Sequence, residues 1–195
     1  MNGSRIPEAL TFAVKAHQSK KWKDTDRPFI HHPLAVAAMV QFYGGNDVQA
    51  QAAILHDTIT EGVSVQELHK LFGLEVAELV SAFEDPPEVN QLKMNWADGK
   101  KAYIKKIENL PPQSVLVIAC EELHELTVLL HDLKSQGSKV WNRYPVPGRD
   151  LGWYYKLLTA TLYKKLTEDK YRPLISEFAN QTKILTNQVF EGITP

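Results

Sequence analysis

The sequence predicts an all-α fold, a single domain of roughly eight or nine helices, on three observations. Apolar residues recur at helical spacing along nearly the whole chain, and no strict alternation of apolar and polar residues persists. Residues that start and end helices separate these segments. The chain has 195 residues, of which 44% are apolar and 23% charged, which is enough to bury one full core. We therefore expect one domain over residues 1–195.

The first part of the chain divides into short helices at recognisable capping residues. Ser4 is placed to cap the first helix, Pro33 to start the second, and Ser64 to form a capping box with Glu67. Asp47 opens the third helix. The predicted helices are SRIPEALTFAVKAH, PLAVAAMVQFY, DVQAQAAILHD, SVQELHKLFG and LEVAELVSAF.

The second part holds longer helices and two irregular segments. We expect EDPPEVNQ to be a loop and GSKVWNRYPVPGRD to be an irregular, basic and aromatic connection. The longest predicted helix is also the most apolar, which favours a central position. The predicted helices are WADGKKAYIKKIENL, PPQSVLVIACEELHELTVLLHDL, LGWYYKLLTATLYKKL and RPLISEFANQTKILTNQVF, the last belonging to the C-terminal helix expected over residues 167–195.

The bulk composition limits the partners and the location. A formal net charge of -1 provides no global field that would attract a nucleic acid polymer or a membrane. Cys120 is the single cysteine, which excludes an intramolecular disulfide and suits a reducing compartment. The N-terminal stretch MNGSRIPEALTFAVKAHQ lacks a long uncharged apolar core, so we expect neither a signal peptide nor a membrane span. These features predict a cytoplasmic protein, and they leave a homo-oligomer open.

The stretch LHDTITEG, Leu55 to Gly62, sets a histidine beside an aspartate at the end of an apolar helix. On an ideal helix His56 and Asp57 point about 100° apart, so both reach one metal ion only from a helix end. The alternative is a core or capping histidine followed by a solvated aspartate. Taken alone, the pair favours this alternative.

Three glutamates on the longest predicted helix favour a metal site over a core or capping histidine. Glu121, Glu122 and Glu125 share one sector of the helix, among apolar residues. A like-charged pair at i,i+4 is unfavourable by a few tenths of a kcal/mol, roughly, even in water, and by more when it is buried. A solvated acidic edge fits this apolar sequence poorly. A bound cation, or a basic partner such as Lys20 or Lys23, is the better account.

A histidine, then His-Asp, then a carboxylate on a later helix is an order that resembles the HD-domain metal-dependent phosphohydrolases. Within them the chain is most similar to the small alarmone hydrolases, relatives of the hydrolase domain of RelA/SpoT-type enzymes. The resemblance covers about Ala9 to about Leu166. The matching pieces are AHQSKKWKDTDRPFIHHPLAVAAMV, AAILHDTITEG, FGLEVAELVSAFED, VLVIACEELHEL and VWNRYPVPGRDLGWYYKLL.

The resemblance implies an HD-type helical bundle with a metal site. It assigns His32 as the first metal ligand, His56 and Asp57 as the His-Asp pair, and Glu121 at the position of the final metal-binding aspartate. By resemblance the ion is manganese first, with iron, zinc or magnesium as alternatives and an empty site left open. His31 is then a neighbour of the site.

Residues that carry chemistry in the family differ here. Two residues after His-Asp the family usually has Glu-Asp, the pair thought to position or activate the attacking water, and this chain has Thr60 and Glu61. The final ligand is a glutamate, and the basic loop reads Lys20-Lys21-Trp22-Lys23 where the family favours Gln-x-Arg-Lys. Glu61 is the remaining candidate for the general base, and Thr60 at most orients the water.

Candidate substrate contacts lie in two other segments. Lys20 and Lys23 can bind phosphates as point charges, although a solvated loop explains them equally well. Arg149 can reach a phosphate, although surface arginines are common. Tyr154 can stack on a nucleobase, the role of the matching region in the family, although aromatic residues at a helix start more often belong to the core.

The sequence thus predicts a metal-dependent phosphohydrolase of a phosphorylated nucleotide, of the guanosine 3′,5′-bis(diphosphate) type, with a divergent active site. The alternative is a catalytically impaired HD-fold protein that binds a nucleotide or a protein partner. A purely structural helical module explains neither the acidic cluster nor the spacing of His32 and the His-Asp pair.

Overall fold

The computed structural model describes residues 4–23 and 25–191, and within these residues the chain forms ten α-helices and no strand. Extended backbone pairs in an isolated antiparallel bridge between Lys21 and Pro28. The all-α prediction is confirmed. The predictions that extend over residues 1–3, 24 and 192–195 lie outside the described residues at those positions.

The helices follow the predicted segments, although α1 begins after Arg5 rather than at a Ser4 cap, and α2 begins at His31, two residues before Pro33. They are α1 (Ile6–Ala16), α2 (His31–Phe42), α3 (Asp47–Leu55), α4 (Val65–Phe72), α5 (Leu74–Ser81), α6 (Pro87–Gln91), α7 (Trp96–Asn109), α8 (Pro112–Gln136), α9 (Gly148–Lys165) and α10 (Arg172–Thr186). Short 3-10 segments span His56–Glu61, Gly137–Arg143 and Asp169–Tyr171, and a π turn at Asn187–Glu191 follows α10. The prediction of a loop over EDPPEVNQ was wrong, because this segment contains α6, and Pro87 stands in the first turn, where its missing N–H is tolerated.

The described residues group into two compact units. The first runs up to Glu84 and includes Leu116–His124 from the middle of α8, and the second comprises Asp85–Val115 and the residues from Glu125 onward. One domain over the whole chain stays a prediction.

In the first unit α3 is the most enclosed element, in contact with α1, α2 and α5. Every residue from Gln49 to Leu55 is buried. The helix starts at Asn46, which accepts a hydrogen bond from the backbone N–H of Gln49 at 2.9 Å, while the Gln49 side chain accepts one from the Asn46 backbone at 3.0 Å. This reciprocal capping box fixes the residue at which α3 begins.

In the second unit α9 lies against α7 and α10, and its buried core includes Tyr154, Leu158 and Phe178. The Lys165 ammonium donates a hydrogen bond to the backbone carbonyl of Glu108 at 2.9 Å, which ties the end of α9 to the end of α7. None of the helices in the described part of the chain is long and apolar enough to cross a membrane.

Candidate metal centre

The His-Asp pair lies where α3 stops being an α-helix. The α-helix ends at Leu55, and the chain continues as the 3-10 segment His56–Glu61. Nε2 of His56 and Oδ2 of Asp57 lie 2.9 Å apart. Both side chains therefore point to one place from a helix end, the geometry that two adjacent ligands require.

Two threonines and a glycine stabilise this turn. The hydroxyl of Thr58 donates to the Leu55 carbonyl, and the hydroxyl of Thr60 to the Asp57 carbonyl, each at 2.7 Å. Gly62 then ends the turn at a φ of 90°, a conformation that a residue with a Cβ adopts only under strain. Thr60 is thus a backbone-bonded residue of the turn, which limits its freedom to orient a water.

His32 reaches the same place from the first turn of α2. Its Nε2 lies 3.2 Å from Nε2 of His56 and 3.7 Å from Oδ2 of Asp57. Ligands about 2.1 Å from one divalent ion are roughly 3.0–3.5 Å apart, so these three atoms have spacings close to those of a coordination sphere. The structure brings the three predicted ligands together.

Glu121 on α8 lies near the two histidines, and His32, His56, Asp57 and Glu121 are together called the cluster. One ligand atom from each of His32, His56 and Glu121 lies within 4.8 Å of the other two. Among the three glutamates of α8, Glu121 is the one in this group, and its side chain is partly exposed whereas Glu122 is buried. The assignment of these residues as metal ligands stays a prediction.

The donor atoms suit a divalent transition ion. Nδ1 of His56 donates to the Ala53 carbonyl at 2.7 Å, so Nε2 is the nitrogen that would give up its proton for an ion to bind. Burial first, and then the neighbouring His56, lower the pKa of His32 well below its ordinary value, which keeps that imidazole neutral. Imidazole nitrogens with carboxylate oxygens are ligands for manganese, iron and zinc.

Asp57 is held as a carboxylate. Burial opposes its ionisation, but the charge and hydrogen bond of His56, followed by His32 and Lys20, outweigh burial and hold the pKa of Asp57 well below its usual range. The site therefore offers one permanent negative charge beside two imidazoles, together with the Glu121 side chain.

His124 adjoins the cluster and was not singled out by the sequence analysis. Its Nδ1 lies 2.8 Å from Nδ1 of His32, and both residues are buried. Burial first and His31 next lower the pKa of His124 to about 4. A signal was present in the sequence, because His124 follows Glu121 by three residues and so lies on the same face of α8.

Glu61 is engaged by a lysine rather than free beside the cluster. The Lys20 ammonium lies 2.6 Å from the Glu61 carboxylate and donates to the Thr60 hydroxyl at 3.1 Å. The hydrogen bond from Lys20 is the main cause that lowers the pKa of Glu61. Lys20 and Glu61 also line a surface cavity of about 550 Å³ that Lys15 and Ser19 help to form.

The remaining predicted substrate residues have other surroundings. Lys23 lies with its ammonium 4.9 Å from the ring of the buried Trp22. Arg149 is exposed in the second unit, where its Nε donates to the Val189 carbonyl at 3.4 Å. The substrate-binding roles of Lys20, Lys23 and Arg149 stay predictions.

Tyr154 is buried in the core of the second unit. Its ring centroid lies 5.4 Å from that of Tyr155 and 6.1 Å from that of Trp96, and the Lys100 ammonium lies 4.6 Å away. These contacts are typical of a core aromatic residue, the alternative that the sequence left open. Stacking on a nucleobase stays a prediction.

Comparison with known proteins bears on the family. Residues 9–144 match the HD domain. The chain is 28% identical over 145 residues to a guanosine-3′,5′-bis(diphosphate) 3′-pyrophosphohydrolase of Xenopus tropicalis, covering 72% of this chain and 76% of that protein. It is 32% identical over 133 residues to the GTP pyrophosphokinase rsh of Brucella melitensis, covering 68% of this chain but only 16% of that longer protein.

Two solved structures share the fold. A Listeria monocytogenes EGD-e protein matches with a TM-score of 0.69 at 24% identity, covering 78% of this chain and 96% of that one. A metazoan ortholog of SpoT that hydrolyses ppGpp matches with a TM-score of 0.68 at 18% identity, covering 93% of this chain and 97% of that one. At these identities the similarity is one of architecture.

Proposed function

Because the chain belongs to the HD-domain family, we propose that it is a metal-dependent phosphohydrolase of a phosphorylated nucleotide of the guanosine 3′,5′-bis(diphosphate) type. The observation that carries the proposal is the approach of His32, His56 and Asp57 to within 2.9–3.7 Å of one another. The similarity to a pyrophosphohydrolase of that nucleotide, which covers most of both chains, supports the substrate class.

The residues present fit a divalent ion, which His32, His56, Asp57 and Glu121 would hold. Manganese is our first choice, and iron, zinc or magnesium are alternatives that the same donors accept. Such an ion, when bound, supplies a Lewis acid that polarises a phosphoryl oxygen and lowers the pKa of water.

Glu61 and Lys20 would act as a pair on the substrate side. A carboxylate whose pKa is lowered by an ammonium group stays ionised but is a weaker base, so pairing with Lys20 reduces the basicity of Glu61. A substrate phosphate that binds the Lys20 ammonium would compete with Glu61 for it and free the carboxylate to accept a proton. In this scheme Thr60 maintains the turn through its bond to the Asp57 carbonyl.

A second candidate function rests on the same pair. Thr60 stands where the family has a carboxylate, and the neighbouring Glu61 is bound to Lys20 at 2.6 Å. These two features favour a catalytically impaired protein that binds a nucleotide or a protein partner and has a vacant or crippled metal site. We place weak or redirected hydrolysis narrowly ahead of this alternative.

The proposal also includes a partner and a cellular location. A small phosphorylated nucleotide is the expected partner, in the cytoplasm, where the single cysteine, Cys120, would stay reduced.

The test is release of pyrophosphate or phosphate from guanosine 3′,5′-bis(diphosphate) by metal-stripped protein reloaded with manganese. We expect turnover that Asp57→Asn abolishes, because that change removes a ligand charge. Glu61→Gln should reduce the rate by about 10²–10⁴-fold if Glu61 is the general base. Substitution of the exposed His69 by Gln is the matched control, since His69 lies in the last turn of α4 and is none of the predicted site residues.

The outcomes separate the two candidates. Tight manganese binding without turnover would favour another substrate, whereas no turnover and no bound ion would favour the binding protein. Protein that binds no divalent ion would contradict the metal-dependent phosphohydrolase.

A further inference from the structure

The two ring nitrogens of His32 face different partners. Nε2 faces His56 at 3.2 Å and Asp57 at 3.7 Å, whereas Nδ1 faces Nδ1 of His124 at 2.8 Å. Two imidazole nitrogens at 2.8 Å form a hydrogen bond only if one carries the proton and the other presents its lone pair. Whether His32 or His124 carries the proton of this hydrogen bond therefore determines which nitrogen of His32 is available to an ion.

A ligand nitrogen must be unprotonated, and in a neutral imidazole the proton then lies on the other nitrogen. For His32 to bind an ion through Nε2, its Nδ1 must carry the proton and donate it. The acceptor at 2.8 Å is Nδ1 of His124. His124 must then be unprotonated at Nδ1.

From this geometry we propose that His124 is a positioning residue of the metal centre, which accepts the Nδ1–H of His32 and so holds His32 in the tautomer that presents a bare Nε2. The inference rests on the proposed metal centre. Metal-bound histidines usually donate to a carbonyl or carboxylate, as His56 does to the Ala53 carbonyl. His32 is different because its acceptor is another imidazole, from α8.

An imidazole acceptor also restrains the orientation of the His32 ring. Its lone pair lies in the ring plane, so the bond to His32 forms over a narrow range of rotation. The two ring planes meet at 45°, with centroids 4.9 Å apart. Trp22 packs on both rings, 4.7 Å from the centroid of His32 and 6.1 Å from that of His124, which fixes their positions from a third direction.

The test separates the acceptor from the packing with two variants. His124→Phe keeps a ring against Trp22 but removes the acceptor, and His124→Asn places an amide oxygen near the position of Nδ1. Metal-free proteins are titrated with Mn²⁺ alone, and free Mn²⁺ is followed by electron paramagnetic resonance. We expect the Phe variant to bind about 10- to 100-fold more weakly than wild type and the Asn variant to keep most of the affinity.

His31→Phe is the matched control. The His31 ring also contacts Trp22 and His124, but its Nδ1 donates to the Pro28 carbonyl at 2.7 Å and not to His32. Its Mn²⁺ affinity should equal that of wild type. A folded His124→Phe protein with wild-type affinity would overturn the proposal, as would a folded Asn variant as weak as the Phe variant.

If the Phe variant does not fold, nitrogen NMR of the wild-type protein tests which histidine carries the proton between His32 and His124. With ¹⁵N-labelled histidine and bound Zn²⁺, we expect an N–H at Nδ1 of His32 and a bare Nδ1 at His124. The reverse assignment would overturn the role of His124 alone. Wild-type protein that binds neither Mn²⁺ nor Zn²⁺ would instead overturn the proposed metal centre, and this inference with it.

Discussion

The imidazole of His17 is enclosed in the first unit, and among the described residues neither of its ring nitrogens has a hydrogen-bond partner. The nearest acidic group is Glu61, whose carboxylate oxygen lies 3.8 Å from Nδ1. Burial first and Lys20 next lower the pKa of His17 below its ordinary value of 6.5, against the opposing charges of Asp57 and Glu61. The folded protein therefore holds this histidine neutral.

This neutral histidine predicts a loss of stability in acid. The unfolded chain keeps the pKa of His17 near 6.5 and so binds more protons than the folded state below that pH. The contribution of His17 to stability is present above pH 6.5 and is lost as the pH falls towards the lower folded pKa. We expect His17→Phe to flatten the dependence of the melting temperature on pH, measured with chelator between about pH 5 and pH 8.

His69→Phe is the control for this measurement, because it makes the same substitution at an exposed position of α4. Equal slopes for His17→Phe and wild type would show that His17 takes up no proton on unfolding.

At the scale of the elements, some features of the site could be predicted from the sequence and others could not. The sequence placed His56 and Asp57 in the last turn of the third helix, and α3 ends just before them, at Leu55. The contact between His32 and His124 was not predicted, although the spacing of His124 from Glu121 places both residues on one face of α8. Whether a histidine on an apolar helix faces a site depends on how that helix is rotated, which only tertiary packing decides.

The ion pair and the hydrogen bond of Lys20 were not predicted, for a similar reason. A basic loop can be solvated or can bind phosphates, and the sequence offered both interpretations. The loop instead brings Lys20 to the turn after α3, where it pairs with Glu61 and Thr60 at 2.6 Å and 3.1 Å. A residue assigned to the substrate and a residue assigned to catalysis thus bind each other.

The capping box of α3 gives a prediction for that element. Asn46→Ala removes the oxygen that accepts the Gln49 N–H, and we expect the free energy of unfolding to fall by about 1 kcal/mol, within the usual 0.5–2 kcal/mol of such caps. Denaturant unfolding measures this change. Gln66→Ala, at an exposed position of α4, is the control and should change the free energy by less than about 0.5 kcal/mol. A loss no larger than that of the control would mean that packing alone fixes the start of α3.

For the molecule as a whole, the predicted ligands come from positions that are far apart in the sequence, and this spacing couples ion binding to folding. His32, His56 and Glu121 come from α2, the turn after α3, and α8, and they meet within 4.8 Å in the first unit. In the unfolded chain such distant residues are rarely close together. An ion held by them would bind the folded state almost exclusively, and its binding free energy would therefore add to stability.

This coupling predicts that removing the ion destabilises the protein. At a free Mn²⁺ concentration of about 100 times its Kd, the free energy of unfolding should exceed that of chelated protein by about 2.7 kcal/mol. For a chain of this length that corresponds to a rise in melting temperature of roughly 5–10 °C. His56→Ala should abolish the dependence on Mn²⁺, because it removes the nitrogen that lies 3.2 Å from Nε2 of His32 and 2.9 Å from Oδ2 of Asp57. His69→Ala should retain it, since that histidine lies exposed at the end of α4. A wild-type melting temperature that is the same in chelator and in Mn²⁺ would mean that the four predicted ligands do not hold an ion, and the impaired binding protein would then be the better account of this fold.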